Sequence, residues 1–126
     1  MEGYACDLAK KKYQELGLDS GLISLGGNVY SFGTKPDGTA FIIGLRDPRG
    51  EDNDLMGNLT APGKVVATTG DYERYFEQDG MKYHHIIDPS TGHPANNGLV
   101  SVTIVSADGT LADGLSTSLF IMGKDK

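Results

Sequence analysis

The sequence contains no tryptophan, one cysteine and only three histidines among its 126 residues. A single cysteine, Cys6, excludes an internal disulfide, so the fold does not depend on an oxidising compartment. The helical pattern around Cys6 favours a packed thiol over a reactive one. No apolar run approaches the roughly 18 residues of a membrane span.

Positive charge is also scarce, with 11 Lys and Arg residues against 17 Asp and Glu and a net charge of −6. Phosphate backbones are bound by a basic stripe, which is missing here, so the composition argues against nucleic acid as a partner. The first residues show neither the basic region nor the apolar core of a signal peptide. With 38% apolar residues, residues 1–126 are predicted to form one soluble globular domain.

The 18 glycines lie between apolar runs and therefore indicate tight turns rather than disorder. We predict an α+β domain with two main helices and a mostly antiparallel sheet of about six strands. Residues 29–33 and 40–46 are expected to pair as a hairpin, residues 47–62 to form a loop, and residues 71–76 a helical turn. The helices are expected at 4–16 and 110–122, and the strands at 22–25, 29–33, 40–46, 64–70, 81–87 and 99–105.

Glycines 26 and 27 with Asn28 separate the first two predicted strands. This break is typical of a hairpin turn with positive φ angles or of a bulge. It is also compatible with close approach of a ligand to the backbone.

All three histidines fall within residues 83–94, where an apolar run meets an Asp-Pro-Ser-Thr-Gly turn. Proline cannot continue a β-ladder, so the strand is predicted to stop at Asp88. On a strand, His84 and His85 point to opposite faces, and only one of them can face a cleft. Such a histidine is either a general base or a structural, hydrogen-bonded group.

The last predicted helix carries Asp113, Ser116 and Thr117 on one face because their spacing is i, i+3, i+4. A carboxylate and two hydroxyls are hard oxygen donors that suit Mg²⁺ or Ca²⁺. Alternatively, Thr110 and Asp113 form a capping box and Asp113 only satisfies backbone amides. On the same helix, Leu111, Leu115, Leu119 and Met122 are predicted to form a buried stripe.

Taken together, five segments resemble the ApbE family, the FAD:protein FMN transferases. In chain order they are residues 2–5, 26–28, 69–76, 85–92 and 112–117. The resemblance implies Mg²⁺-dependent cleavage of FAD and transfer of FMN to a Thr or Ser hydroxyl of an acceptor protein. It further implies that Asp113, Ser116 and Thr117 bind the metal, that Glu2 and Ile87 contact the flavin nucleotide, and that His85 and Asp88 act as base or positioning groups.

Two departures from the family pattern accompany the resemblance. Gly114 stands where the family usually has alanine, which costs the helix about 1 kcal/mol. Family members are also more than twice as long, so the chain is expected to be a C-terminal portion of an ApbE-type protein. Family members are typically exported or membrane-anchored. The alternative function is a non-catalytic module that binds flavin nucleotide or assembles with a partner, with open sheet edges favouring self-association into homo-oligomers.

Overall fold

A computed structural model describes residues 1–125. Two helices, α1 (Glu2–Glu15) and α2 (Gly109–Met122), pack against the main sheet and against each other. Among the described residues, neither helix has the length and apolar content needed to cross a bilayer. The predicted α+β class and antiparallel character are confirmed.

The main sheet has four antiparallel strands in the order β1-β2-β5-β10. These strands are β1 (Gly21–Leu25), β2 (Asn28–Phe32), β5 (Lys64–Gly70) and β10 (Ser101–Ser106). β5 lies inside the sheet and carries the run of buried apolar residues, Val65, Val66 and Ala67. One hydrophobic core cluster contains Val65 of this strand and the fully buried Cys6 of α1.

In place of the expected sheet of about six strands, residues 1–125 form the four-stranded main sheet and three separate two-stranded ribbons. The ribbons are β3 (Ile43–Arg46) with β4 (Leu55–Leu59), β6 (Tyr75–Gln78) with β7 (Met81–His84), and β8 (Ile87–Asp88) with β9 (His93–Pro94).

The pairing corrects three local predictions. The expected hairpin between residues 29–33 and 40–46 is wrong, because β2 pairs with β1 and β5 while β3 pairs with β4. The predicted loop 47–62 contains β4. Residues 71–76 form a turn followed by β6 rather than a helical turn. Local patterns did not reveal these long-range pairings.

The buried stripe predicted for α2 is also wrong. The buried residues of this helix are Gly109, Ala112, Ser116 and Phe120, whereas Leu111, Leu115, Leu119 and Met122 are all exposed. Small residues face inward because α1 crosses α2 closely. A Cβ on Gly3 would overlap the Gly109 carbonyl oxygen and lie 2.6 Å from Asp113 Cβ.

The N-terminus of α2 is satisfied by two aspartates, neither of which is Asp113. Asp108 is the N-cap and accepts a hydrogen bond from Leu111 N at 2.8 Å. Asp7 of α1 accepts from Gly109 N, Thr110 N and Thr110 Oγ1. The capping-box interpretation of Thr110 and Asp113 is therefore wrong, and the Asp113 carboxylate instead accepts a hydrogen bond from Gly3 N in the first turn of α1.

Candidate functional site

A cavity of about 250 Å³ lies where the N-terminus of α1, the β1–β2 turn, the end of β5, α2 and the start of β8 meet. Five of the seven residues assigned to the site from sequence line it: Glu2, His85, Ile87, Asp113 and Thr117. Segments separated by more than 100 positions thus contribute to one concave surface. The structure brings most of the sequence-based site together.

The β1–β2 turn shapes one wall of this cavity, and its two glycines have positive φ angles of 51° and 92°. The hairpin-turn interpretation is therefore confirmed by the pairing of β1 with β2. A Cβ at Gly26 would lie 2.7 Å from Glu2 Cγ, and one at Gly27 would lie 3.4 Å from a carboxylate oxygen of Glu73. The glycines give the chain its turn and leave room for two acidic side chains.

Asp113 points from α2 toward the first turn of α1. Its Oδ2 accepts hydrogen bonds from Gly3 N at 3.0 Å and from the Met1 ammonium at 2.9 Å. Burial opposes ionisation of Asp113, but these donors, together with the Asn28 amide, hold its pKa below the ordinary value. Asp113 is therefore an ionised carboxylate at neutral pH.

Three hydroxyls form a connected group beside Asp113. Thr69 Oγ1 at the end of β5 lies 2.8 Å from Ser116 Oγ and 3.3 Å from Thr117 Oγ1. Ser116 is buried and also donates to the Asp113 carbonyl oxygen at 3.0 Å. Thr69 and Thr117 line the cavity, whereas Ser116 lies beneath them and supports Thr69.

The two adjacent histidines have different environments, as their alternation predicts. His84 is buried, its Nε2 lies 3.0 Å from the Ala95 carbonyl oxygen, and its ring meets Phe120 edge-on at 5.7 Å. His85 is exposed and lines the cavity. The structure therefore places His85 in this cavity, whereas His84 and His93 both line a different one.

The remaining predicted residue, Asp88, is not part of the cavity lining. Its Oδ1 accepts hydrogen bonds from Ser90 N at 2.8 Å and Ser90 Oγ at 2.6 Å, which orders the turn after β8. This turn supports Ile87, which is in the lining. The assignment of Asp88 to catalysis stays a prediction.

Sequence reasoning did not assign Thr69, Glu73 and Arg74 to the site, although all three line the cavity. They lie in the 69–76 segment that carried the family resemblance, so the signal was present. Glu73 is exposed, yet desolvation in the concave surface raises its pKa, and the charges of His85, Arg74 and Arg46 oppose that rise. The spacing of this segment gave no indication of which side chains would face the cavity.

The donor set at Asp113 suits Mg²⁺ better than a softer metal. An ionised carboxylate and threonine hydroxyls are hard oxygen ligands, and Mg²⁺ commonly takes only one or two carboxylates together with water or phosphate oxygens. The described residues contain no group of three His, Cys, Asp or Glu side chains arranged to hold a metal, the kind of group that zinc prefers. Within the same residues, the buried Asn28 Oδ1 has no hydrogen-bond partner, and the side chain of Asn28 also interacts with Asp113.

Comparison with known proteins gives a consistent result. The family model described as "ApbE family" matches residues 1–126. An FAD:protein FMN transferase from Klebsiella pneumoniae is 42% identical over 125 residues, which cover 99% of this chain and 38% of that relative. The crystal structure of the ApbE protein from Thermotoga maritima superposes with a TM-score of 0.87 at 47% identity, covering 98% of this chain and 40% of that one.

A third comparison is with the flavin transferase ApbE from Vibrio cholerae, which superposes with a TM-score of 0.83 at 34% identity over 98% of this chain and 39% of that one. The chain thus spans about two fifths of the length of the relatives it matches. The match extends through all the segments that build the cavity, and the predicted resemblance is confirmed. This chain belongs to the ApbE family.

Proposed function

We propose that this chain carries the metal- and phosphate-binding site of an FAD:protein FMN transferase. In the proposed reaction, FMN passes from FAD to a Thr or Ser hydroxyl of an acceptor protein and AMP is released. The observation that carries the proposal is the convergence of Asp113, Thr117, Thr69, Glu2, His85 and Ile87 on one cavity. The relatives named FAD:protein FMN transferase match the chain over 99% of its length.

The chemistry is phosphoryl transfer, in which the protein mainly positions the reactants and stabilises the developing charge. Bound Mg²⁺ would neutralise negative charge on the pyrophosphate oxygens. Asp113, Thr117 and Thr69 would hold the metal, with Ser116 supporting them from below. Asn28 contributes to keeping Asp113 ionised.

The other lining residues have complementary roles in this proposal. Arg74 places a fixed positive charge in the cavity and can bind a phosphate oxygen. Ile87 is 45% exposed and offers an apolar surface to the flavin nucleotide. His85 accepts the proton of the acceptor hydroxyl as this oxygen attacks the flavin-side phosphorus.

The test is the release of AMP from FAD with Mg²⁺ and a Thr-containing acceptor peptide, measured by chromatography. We expect AMP from the parent chain and a loss of at least about 100-fold in Asp113→Ala, a typical scale for a lost electrostatic group. Asp52→Ala is the matched control because Asp52 is an exposed carboxylate outside the cavity lining that forms an ion pair with Arg46. FAD and Mg²⁺ binding without AMP release would instead indicate the non-catalytic binding module.

Self-association through open sheet edges is part of the same proposal. β1 and β10 form the two edges of the main sheet, and within residues 1–125 neither has a second partner strand. Unpaired edges are templates for pairing with another chain. Light scattering should give a mass above that of one chain at high concentration, and a monomer mass throughout would contradict this prediction.

A further inference from the structure

The three hydroxyls beside Asp113 form a chain of hydrogen bonds with one consistent direction. Ser116 Oγ donates its single hydrogen to the Asp113 carbonyl oxygen at 3.0 Å, an atom that can only accept. In the 2.8 Å contact between Thr69 Oγ1 and Ser116 Oγ, Ser116 therefore has no hydrogen left to give. Thr69 is the donor in this contact, so its own hydrogen points away from the cavity and toward the core.

Thr117 continues the chain on the cavity side. Its Oγ1 lies 3.3 Å from Thr69 Oγ1, and only Thr117 can donate in this contact because the Thr69 hydrogen is already directed at Ser116. The hydrogens thus run inward from Thr117 through Thr69 and Ser116, and the chain ends on a backbone carbonyl. Thr69 and Thr117 line the cavity, whereas Ser116 lies behind them.

Packing alone does not account for the hydroxyl of Ser116. This residue is 1% exposed, and Ala112, one turn earlier on the same buried face of α2, has no polar side-chain atom. A buried hydroxyl costs free energy unless it is hydrogen-bonded, so alanine would fill the position of Ser116 without that cost. The hydroxyl adds an acceptor for Thr69 and a donor to the helix backbone.

We propose that Ser116 is a positioning residue that orients the Thr69 hydroxyl, so that oxygen lone pairs and not a hydrogen face the cavity. Thr69 Oγ1 then attracts a cation and cannot donate to a phosphate oxygen. Donation to Ser116 also strengthens Thr69 Oγ1 as an acceptor, because hydrogen bonds in a chain polarise one another.

The consequence for substrate binding rests on the proposed function. The cavity wall beside Asp113 selects a divalent cation, and the pyrophosphate binds to this wall through that cation. In this scheme Ser116 acts through Thr69 and does not touch the metal. Its removal should therefore weaken metal binding only as far as Thr69 depends on it.

The direction of the hydrogen bonds can be measured without any metal. A hydroxyl hydrogen held between two protein oxygens exchanges slowly with water and is visible by NMR at low temperature. We expect a protected Thr69 hydroxyl signal with an Overhauser contact to the Ser116 β-protons, and the loss of this signal in Ser116→Ala. A folded parent chain without a protected Thr69 hydroxyl, or with the Ser116 hydroxyl donating to Thr69, would overturn the proposal.

The affinity for Mn²⁺, measured from the free-ion signal in electron paramagnetic resonance, tests the effect on the metal. Ser116→Ala should weaken Mn²⁺ binding about tenfold, the lower end of the range for residues that orient a metal ligand. Thr69→Val removes the oxygen but keeps the shape and should weaken binding at least as much. Because Ser116 acts through Thr69, the double variant should bind Mn²⁺ no more weakly than Thr69→Val alone.

Ser118→Ala is the matched control because Ser118 lies on the exposed side of the same helix. Additive losses in the double variant would overturn the proposal, as would equal effects of Ser116→Ala and Ser118→Ala. If Ser116→Ala does not fold, Thr69→Ser keeps the test open. This variant retains the hydroxyl and should bind Mn²⁺ like the parent, and a loss equal to that of Thr69→Val would overturn the proposal.

The same measurements separate this proposal from the proposed function. A parent chain that binds Mn²⁺ and releases no AMP from FAD would contradict the transferase activity, while the double-variant comparison still decides the role of Ser116. A parent chain that binds no Mn²⁺ would overturn the role of Ser116 together with the metal site.

Discussion

The buried and exposed faces of α2 are the opposite of those that the leucine spacing predicts. The buried face consists of Gly109, Ala112, Ser116 and Phe120, and the exposed face carries Leu111, Leu115, Leu119 and Met122. The small inward residues let α1 approach closely, and this approach brings Gly3 N to Asp113. The comparison shows that close packing against α1 and the core around Phe120, rather than the leucine spacing, determine which face of this helix is buried.

The largest expected effect is on the buried face. Phe120 is fully buried between Ile86 and Ala95 and meets the ring of His84. Phe120→Ala should lower the free energy of unfolding by about 3–5 kcal/mol in urea denaturation, because it leaves a cavity in the core. The adjacent Leu119→Ala, on the exposed face, is the control, and equal losses in both variants would contradict the assignment of faces.

A second comparison uses two glycines, one on α1 where it contacts α2 and one within α2 itself. Gly3→Ala forces a methyl group into the Gly109 carbonyl oxygen and against Asp113, so we expect a loss of about 1–3 kcal/mol. Gly114→Ala meets nothing within 4 Å and should stabilise the helix by up to about 1 kcal/mol. Thermal denaturation of both variants measures the difference. A Gly3→Ala chain as stable as its parent would mean that the helices are not this close.

Acid should weaken the contacts between α1 and α2 before it affects the rest of the fold. Burial opposes ionisation of Asp7 and Asp113, but the hydrogen bonds that each receives lower both pKa values below 3.8. A lowered folded-state pKa gives stability that is present above pH 3.8 and is lost as pH falls through the folded value. Unfolding curves between pH 6 and 2 should show this loss, and Asp7→Asn should reduce it. A pH-independent free energy of unfolding in this range would contradict the assignment.

The smallest effect is expected on the exposed face. Leu115→Gln should change the free energy of unfolding of this chain by no more than about 0.5 kcal/mol, because Leu115 is 39% exposed. Circular dichroism melting curves are sufficient to measure this. A loss of about 2 kcal/mol or more would show that this face is covered in solution, for example by a second copy of the chain.

The sequence predicted the main elements of the fold where a pattern is local and strong. β5 and both helices were located to within a few residues, and the turn after β8 was located by Asp88 and Pro89. The ribbons were missed because pairing between residues 43–46 and 55–59 depends on contacts that no short window contains. The buried and exposed faces of α2 were predicted the wrong way round. The leucine spacing does not show how closely α1 crosses α2.

The candidate site was predictable because its residues belong to a recognised set of motifs. Spacing alone left Asp113 open between a cap and a metal ligand, and only the observed cap at Asp108 removes the first alternative. The alternation of His84 and His85 correctly predicted that one side chain would be hydrogen-bonded and the other would face the site, although His84 also lines a second cavity. Glu73 could not be assigned, since its position depends on the room left by Gly27.

The central claim is that Asp113 and the neighbouring hydroxyls form a divalent-metal site, and Mn²⁺ tests it most directly as a paramagnetic substitute for Mg²⁺. In NMR spectra of the amide groups, substoichiometric Mn²⁺ should broaden the signals of Thr69, Asp113 and Thr117 most strongly. An excess of Mg²⁺ should reverse this broadening, and Asp113→Ala should abolish it. Broadening centred instead on the acidic loop with Asp47, Asp52 and Asp54 would contradict the account.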